Sequence, residues 1–141
     1  MRRLGLDIGD RRIGVALSDP EGILASPFTI INRRDESLDI KAITDIISQQ
    51  QVGQIVVGLP RSLDGSLGRQ AEKVKEFTQK LCEHIKIPVE YRDERLTTVM
   101  AERLRRAVES KKSRKKVRRD AQAAAIILQG YLDEGREPNL P

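Results

Sequence analysis

The sequence is poor in the side chains that many enzymes use for catalysis. Its 141 residues include one cysteine, Cys82, one histidine, His84, and no tryptophan. A single cysteine cannot form an intrachain disulfide, so we expect the chain to work in a reducing cytoplasm. One Cys and one His also argue against zinc–thiolate sites and against histidine-dependent triads. Any chemistry is therefore expected to rest on carboxylates.

Long apolar runs and aromatic side chains are equally scarce. No run of about 18 apolar residues occurs, and the first residues lack the apolar core of a signal peptide, so we expect neither membrane insertion nor export. Two Phe and two Tyr are too few for a base-stacking platform. A nucleic acid would instead be held through its phosphates. The length predicts one domain over residues 1–141.

Positive charge is concentrated in one stretch. The net charge is +5, yet residues 103–119 contain ten lysines and arginines and a single acid, Glu109, which leaves the rest of the chain acidic. Blocks of like charge repel one another, stay mobile and commonly meet a polyanion. We therefore expect residues 110–119 to be mobile without a ligand, and residues 111–119 to bind nucleic acid and become ordered when they do so.

Glycine and one aspartate alternate with apolar residues in the first predicted strand, residues 3–9. Asp7 then shares a face with Gly5 and Gly9, neither of which has a side chain. A carboxylate is poorly suited to the middle of a strand, and glycine in a strand allows a ligand to approach the backbone. The pattern therefore predicts a bare surface that admits a bulky ligand or a metal beside Asp7.

The whole chain predicts an α/β domain in the order βββαβαβ followed by two helices. An antiparallel meander of three strands, extended by two helix-connected parallel strands, gives a mixed five-stranded sheet flanked by helices, with the first strand central beside the fourth. This is the order of the ribonuclease-H-like fold. The predicted strands are residues 3–9, 13–17, 27–31, 54–58 and 89–93. The predicted helices are one that ends near Gln50 and is stopped by Gly53, one that starts at Ser66, one capped by Thr97 or Thr98, and one that starts at Asp120.

Acidic residues at three places could meet where the parallel strands end, namely Asp7, either Asp93 or Glu94, and Asp120. Two carboxylates about 4 Å apart repel by roughly 4 kcal/mol at an effective dielectric constant of about 20, so such a cluster needs a cation. Oxygen ligands favour magnesium or manganese, and two such ions would permit phosphodiester hydrolysis. Asp64, in the loop after the fourth strand, is a lesser metal candidate.

Four motifs stand in order along the chain. They are Asp7-x-Gly9-x-x-Arg12-Ile13-Gly14-Val15-Ala16, Val56-Val57-Gly58-Leu59-Pro60 with Asp64-Gly65, Asp93-Glu94-Arg95-Leu96-Thr97-Thr98, and Asp120-Ala121-x-Ala123-Ala124-x-Ile126-Ile127-Leu128. Together they resemble the YqgF family, also called RuvX, over essentially the whole chain. The resemblance implies a ribonuclease-H-like nuclease that processes the 5′ end of pre-16S rRNA in ribosome biogenesis, or alternatively a Holliday junction resolvase.

The resemblance also implies a set of site residues. Asp7, Glu94 and Asp120 would be catalytic and would hold Mg²⁺ or Mn²⁺, with Asp7 bridging two ions. Asp93 is the alternative to Glu94, because a slip of one residue turns a side chain to the other face of a strand. Residue type adds the groups that would bind nucleic-acid phosphates, namely Arg12, Arg61, Arg95, Lys111, Lys112, Arg114, Lys115, Lys116, Arg118 and Arg119.

Other functions stay open at this point. An actin- or Hsp70-type phosphate-binding ATPase also begins with Asp-x-Gly and a hairpin, although it needs two related domains. A catalytically silent nucleic-acid-binding module would keep the acidic motifs for structure alone. The expected partners are structured RNA, branched DNA or ribosomal particles, without a membrane. The active unit is a monomer or a homodimer, since a symmetric junction would call for a two-fold pair.

Overall fold

The computed structural model describes residues 1–60, 68–93 and 115–136, apart from the side chains of residues 115–120 and 135–136. The elements are β1 (Arg2–Ile8), β2 (Arg12–Ser18), β3 (Ala25–Asn32), α1 (Glu36–Gln50), β4 (Val52–Leu59), α2 (Arg69–Cys82), β5 (Val89–Asp93) and α3 (Lys115–Arg136). The helix predicted after Thr97 or Thr98 lies outside the described residues, as does the start predicted at Ser66. Within the described ranges, no helix is both long and apolar enough to cross a membrane.

The five strands form one mixed sheet in the order β3-β2-β1-β4-β5. β1 pairs antiparallel with β2 and parallel with β4, while β2 and β3 pair antiparallel and β4 and β5 pair parallel. The prediction of a mixed five-stranded sheet with a central first strand is confirmed. Both edges of β1 are therefore hydrogen-bonded, which fixes the position of Asp7 within the sheet.

Alternate positions of the strands build two separate cores. Leu6 of β1 belongs to the larger core, which α1 and α2 cover with side chains such as Ile43 and Phe77. The opposite face of the sheet packs against α3 through a smaller cluster that contains Ala16, Val56, Ala124, Ala125, Ile127, Leu128 and Leu132. Because side chains alternate along a strand, Asp7 belongs to this second face, the one that α3 covers.

Helix α1 ends at Gln50, as predicted, but the residue that stops it is not the predicted one. Asp35 is its N-cap, with the carboxylate accepting a 2.9 Å hydrogen bond from the Leu38 amide. At the other end Gln51 takes a left-handed conformation with φ 54°, and its amide donates to the Ile47 carbonyl. The prediction that Gly53 stops the helix is therefore wrong, because Gly53 lies within β4.

Helix α3 begins at Lys115 and not at Asp120. Aspartate is a good N-cap, but lysine and arginine are strong helix formers, and here they continue the helix for more than one turn before Asp120. Residues 115–119 therefore belong to α3. The expectation that residues 110–119 are mobile without a ligand stays a prediction, and residues 110–114 lie outside the described residues.

Candidate active site

Asp7 is surrounded by glycines on the face that α3 covers. It pairs with Gly14 of β2, and the register of β4 brings Gly58 level with it. Along β1, Gly5 precedes it and Gly9 follows it on the same face. The carboxylate is half-buried. Its sheet neighbours thus contribute main chain but no side chains to the space around it.

The surface beside Asp7 is less open than the glycines suggest. A methyl group at Gly5 would lie 2.8 Å from Leu128 Cβ and 2.9 Å from the Ala124 carbonyl oxygen, so α3 already occupies that space. A methyl group at Gly9 would lie 2.9 Å from the Arg12 carbonyl oxygen, to which the Gly9 amide also donates. The interpretation that both glycines admit a ligand is therefore wrong for Gly5, where glycine allows a helix to approach.

Helix α3 runs along this face in the direction opposite to β1. Near its end, Tyr131 accepts a 2.8 Å hydrogen bond from Gln54, whose side-chain oxygen accepts one of 2.6 Å from Arg3 near the start of β1. One turn earlier in the helix, Leu128 lies against Gly5. Residues nearer the end of β1 therefore contact residues nearer the beginning of α3.

From this arrangement we expect position 120 to lie level with Asp7. Asp120 is one helical turn, about 6 Å, before Ala124, whose carbonyl lies against Gly5. Asp7 is two residues, about 7 Å, beyond Gly5 along β1. Equal distances from the same contact predict that the helix backbone approaches Asp7 near residue 120. The side chain of Asp120 is outside the described part of the chain, so its place in the site stays a prediction.

The strand register separates Asp93 from Asp7. Asp93 pairs with Leu59, which belongs to the core beneath α1 and α2. The preceding residue, Arg92, lies on the other face, where it forms an ion pair with α3. Alternation therefore assigns Asp93 to the face opposite Asp7. Glu94, the other candidate at this corner, lies outside the described residues.

Of the residues predicted to bind phosphate, Arg12 is the one whose side chain lies in the described part of the structure. Arg12 opens β2 two residues before Gly14, so it belongs to the same face as Asp7 and to the same end of the sheet, and it is half-buried. Five others lie outside the described residues: Arg61, Arg95, Lys111, Lys112 and Arg114, as does the lesser metal candidate Asp64. Lys115, Lys116, Arg118 and Arg119 lie in the first turns of α3, where only the backbone is described.

A partly buried ion pair that sequence reasoning missed supports the turn after Asp7. Arg33 Nε lies 3.2 Å from the Asp39 carboxylate, and its Nη1 donates a 2.9 Å hydrogen bond to the Gly9 carbonyl. Its guanidinium also covers the Phe77 ring at 4.9 Å from the centroid. The signal in the sequence was Asp39 itself, a charged residue beside the apolar residues of α1. This contact ties the β1–β2 turn to α1 and α2.

Asp7 offers the kind of ligand that a hard divalent cation binds, a carboxylate oxygen. Within residues 1–60, 68–93 and the described side chains of α3, no three His, Cys, Asp or Glu side chains come together as a metal site. Asp7 is half-buried, and the helix that contains Asp120 packs against Gly5, two residues before Asp7. Carboxylate oxygens without nitrogen or sulfur ligands suit magnesium or manganese.

Relatives by sequence cover nearly the whole chain. The family model RuvX, described as Holliday junction resolvase, matches residues 1–134. A protein of a Synechococcus strain named "Putative pre-16S rRNA nuclease" is 49% identical over 135 residues, which is 96% of this chain and 91% of that protein. A Clostridium botulinum protein of the same name is 48% identical over 133 residues, 94% of this chain and 97% of its own length.

Solved structures of resolvases have the same fold at low sequence identity. Thermus thermophilus RuvC in complex with a Holliday junction substrate matches with a TM-score of 0.66 at 13% identity, covering 96% of this chain and 97% of its own. The yeast mitochondrial Holliday junction resolvase matches with a TM-score of 0.58 at 11% identity, covering 92% of this chain and 77% of its own. The predicted ribonuclease-H-like fold is thereby confirmed. With a family model matched from residue 1 to residue 134 and relatives almost half identical, the chain belongs to the RuvX family.

Proposed function

We propose that this chain is a metal-dependent nuclease that hydrolyses phosphodiester bonds at the 5′ end of pre-16S rRNA. Family membership and the names of its nearly half-identical relatives support a nuclease. The observation that supports the proposal is the packing of α3 on β1, where Gly5, two residues before Asp7, lies against Ala124, one helical turn after Asp120. Two carboxylates contributed by distant parts of the chain would then face one substrate phosphate.

Asp7, Glu94 and Asp120 would hold the divalent ions, magnesium or manganese, in this proposal. Bound as a pair, such ions would supply charge stabilisation to the attacking and departing oxygens of the phosphodiester. Asp7 would be the shared ligand, because the central strand holds it most rigidly. Glu94 is preferred to Asp93, since Asp93 pairs with Leu59 and so shares the face turned away from Asp7.

Arg12 would bind a phosphate oxygen of the substrate beside Asp7. It begins β2 at the same end of the sheet and on the same face, and a guanidinium can donate two parallel hydrogen bonds to a phosphate. The basic residues from Lys111 to Arg119 would attract the nucleic-acid backbone toward the same place, because they directly precede Asp120 in the sequence.

Junction DNA is the second candidate substrate. The matching family model is described as a Holliday junction resolvase, and Thermus thermophilus RuvC and the fowlpox virus resolvase share the fold in complexes with junctions. A resolvase would need two copies of this chain related by a two-fold axis to cut a junction symmetrically. A nuclease that processes one RNA strand would not need such a pair.

Two functions of other classes compete with the proposal. A silent nucleic-acid-binding module would keep its affinity for RNA after Asp7→Asn and would have no cleavage to lose. An actin- or Hsp70-type ATPase would hydrolyse ATP and leave nucleic acid intact. We place the nuclease in the cytoplasm, because its single cysteine, Cys82, is exposed and suits a reducing compartment. Ribosomal particles would be its partners, because the proposed substrate is a ribosomal RNA precursor.

The deciding experiment compares the natural chain with Asp7→Asn on two labelled substrates. One substrate is a ribosomal RNA precursor and the other is a four-way DNA junction, each tested with magnesium, manganese or EDTA. Asp45→Asn is the matched control, because Asp45 is exposed on α1, where it pairs with Lys41 one turn away.

We expect metal-dependent cutting of the RNA that Asp7→Asn abolishes and Asp45→Asn leaves intact. Undiminished cutting by Asp7→Asn would overturn the assignment of the site. Symmetric cutting of the junction without cutting of the RNA would establish a resolvase instead. RNA binding without cleavage in every metal would favour the binding module.

A further inference from the structure

Two connections at the end of the sheet nearest Asp7 lie side by side. One is the β1–β2 turn and the other joins β3 to α1. They are held together by a 2.9 Å hydrogen bond from the Arg33 amide to the Arg11 carbonyl. Each connection contains two consecutive arginines, Arg11 with Arg12 and Arg33 with Arg34. The main chain of four arginines is thus brought together at this edge.

The carboxylates of these two connections already have partners within the protein. Asp10 pairs with Lys73 at 3.5 Å, and the Asp35 side chain caps α1. Glu36 pairs with Lys80 at 2.9 Å. Asp39 pairs with Arg33 and also accepts the Arg34 amide at 3.1 Å. The acids of this region are therefore committed to structural contacts.

Two of the arginines are not committed in this way. Arg11 and Arg34 are exposed, and within residues 1–60, 68–93 and 115–136 neither side chain makes an ion pair or a hydrogen bond. We call this pair the rim arginines. Their positive charge is not neutralised by a described carboxylate and remains available to an anion.

The backbone that presents the rim arginines is rigidly supported. Arg33 donates to the Gly9 carbonyl in the β1–β2 turn and pairs with Asp39, which is only 3% exposed. Its guanidinium also packs on Phe77 of α2. Because the main chain is fixed before any ligand arrives, less conformational entropy is lost on binding than with a disordered basic segment.

We infer that the rim arginines, Arg11 and Arg34, bind phosphates of the nucleic acid that flank the phosphate at Asp7. The inference rests on the proposed function and adds a preformed binding surface to it. Gly9, where the turn begins, is two residues or about 7 Å beyond Asp7, so a strand that crosses Asp7 would pass over this edge. Guanidinium groups suit phosphate because they donate in a planar fork.

The test uses the full chain with Asp7→Asn as the parent, so that binding is measured without cleavage. Arg11→Ala and Arg34→Ala are compared with Lys86→Ala, which removes the same charge from an exposed residue at the opposite end of the sheet, just before β5. Binding to a labelled ribosomal RNA precursor is measured over a range of salt concentrations. Arg11→Lys tests whether charge alone is enough.

We expect each rim variant to weaken binding roughly fivefold. The slope of log affinity against log salt concentration should become shallower by about 0.7, the value for one phosphate on a single strand that is no longer neutralised. Arg11→Lys should keep the salt slope with weaker binding, and Lys86→Ala should match the parent. Circular dichroism should be unchanged, because both rim side chains extend into solvent. Rim variants that bind like Lys86→Ala would overturn this inference alone. Absence of RNA binding by the parent itself would overturn the proposed function and the inference together.

Discussion

The main chain at Gly5 lies so close to Leu128 that a Cβ atom on Gly5 would come within 2.8 Å of the Leu128 Cβ. This close approach sets the distance between the central strand and α3. We predict that Gly5→Ala lowers the free energy of unfolding by about 3 kcal/mol, because the clash includes the rigid Ala124 carbonyl. Cleavage should fall even where the protein stays folded, since α3 must move away from Asp7.

Gly53→Ala is the matched control for that prediction. A methyl group at Gly53 would meet the Met1 sulfur at 2.5 Å, but this is the far end of a flexible side chain that can move aside. Urea unfolding and cleavage assays on both variants check the difference. Equal losses from the two substitutions would show that the close approach of α3 does not control the site.

The Arg33–Asp39 pair should stabilise the fold far more than an exposed ion pair does. We predict that Asp39→Asn costs about 2 kcal/mol, because it leaves the partly buried Arg33 guanidinium without its counter-charge. Asp45→Asn breaks the exposed pair with Lys41 and should cost less than about 0.5 kcal/mol. Chemical denaturation of the two variants measures both values. A cost for Asp39→Asn as small as that for Asp45→Asn would contradict the prediction.

Tyr131 should make the fold sensitive to alkaline pH. Burial raises the pKa of its hydroxyl, and the hydrogen bond it donates to Glu90 at 2.6 Å raises that pKa further. Above about pH 10 the unfolded chain therefore loses this proton while the folded chain keeps it. The contribution of Tyr131 to stability is thus fully present below about pH 10 and is lost as the pH rises from there.

Comparison with Tyr131→Phe isolates this group from the other residues that titrate in the same range. The variant should lose about 1 kcal/mol at pH 8, because Gln54 and Glu90 lose a hydrogen-bond partner. Its stability should then decline less steeply than that of the natural chain between pH 9 and about 11. Urea unfolding at several pH values measures how steeply the stability of each protein falls with pH. An equal decline in both proteins would contradict the raised pKa of Tyr131.

Neutralising the basic stretch should weaken RNA binding through electrostatics. We predict that replacing Lys111, Lys112, Lys115 and Lys116 by glutamine lowers affinity and flattens the salt dependence by up to about 0.7 log units for each phosphate that is no longer neutralised. Binding titrations between low and physiological salt provide the measurement. An unchanged slope would mean that these lysines do not touch the nucleic acid.

The sequence predicts the sheet well because its pattern is local. Alternating apolar residues, or a continuous apolar run in β4, define the strands, and the connections allow few strand orders, which is why the central position of β1 could be derived. The pattern also assigned Asp7 to the face that α3 later proved to cover. These conclusions need no knowledge of contacts between distant residues.

The errors concern contacts that join distant parts of the chain. The alternation of side chains along β1 does not reveal that Gly5 makes room for Leu128, so the sequence alone predicts an opening for a ligand at this glycine. The residue that stops α1 and the first residue of α3 are predicted wrongly for a related reason, although the end of α1 at Gln50 is predicted correctly. Gln51 takes a left-handed conformation that glycine usually adopts, and Lys115 begins a helix where a charged stretch predicted none.

The pairing of the second face with α3 has a consequence for biosynthesis. β1 emerges early in translation, but the helix that packs on Gly5 consists of residues synthesised much later, among them Ala124 and Leu128. Until then the surface around Asp7 lacks its cover and the carboxylate at position 120. A growing chain on the ribosome therefore cannot assemble the proposed active site, and the nuclease would not cut RNA near its own site of synthesis before its last helix has folded.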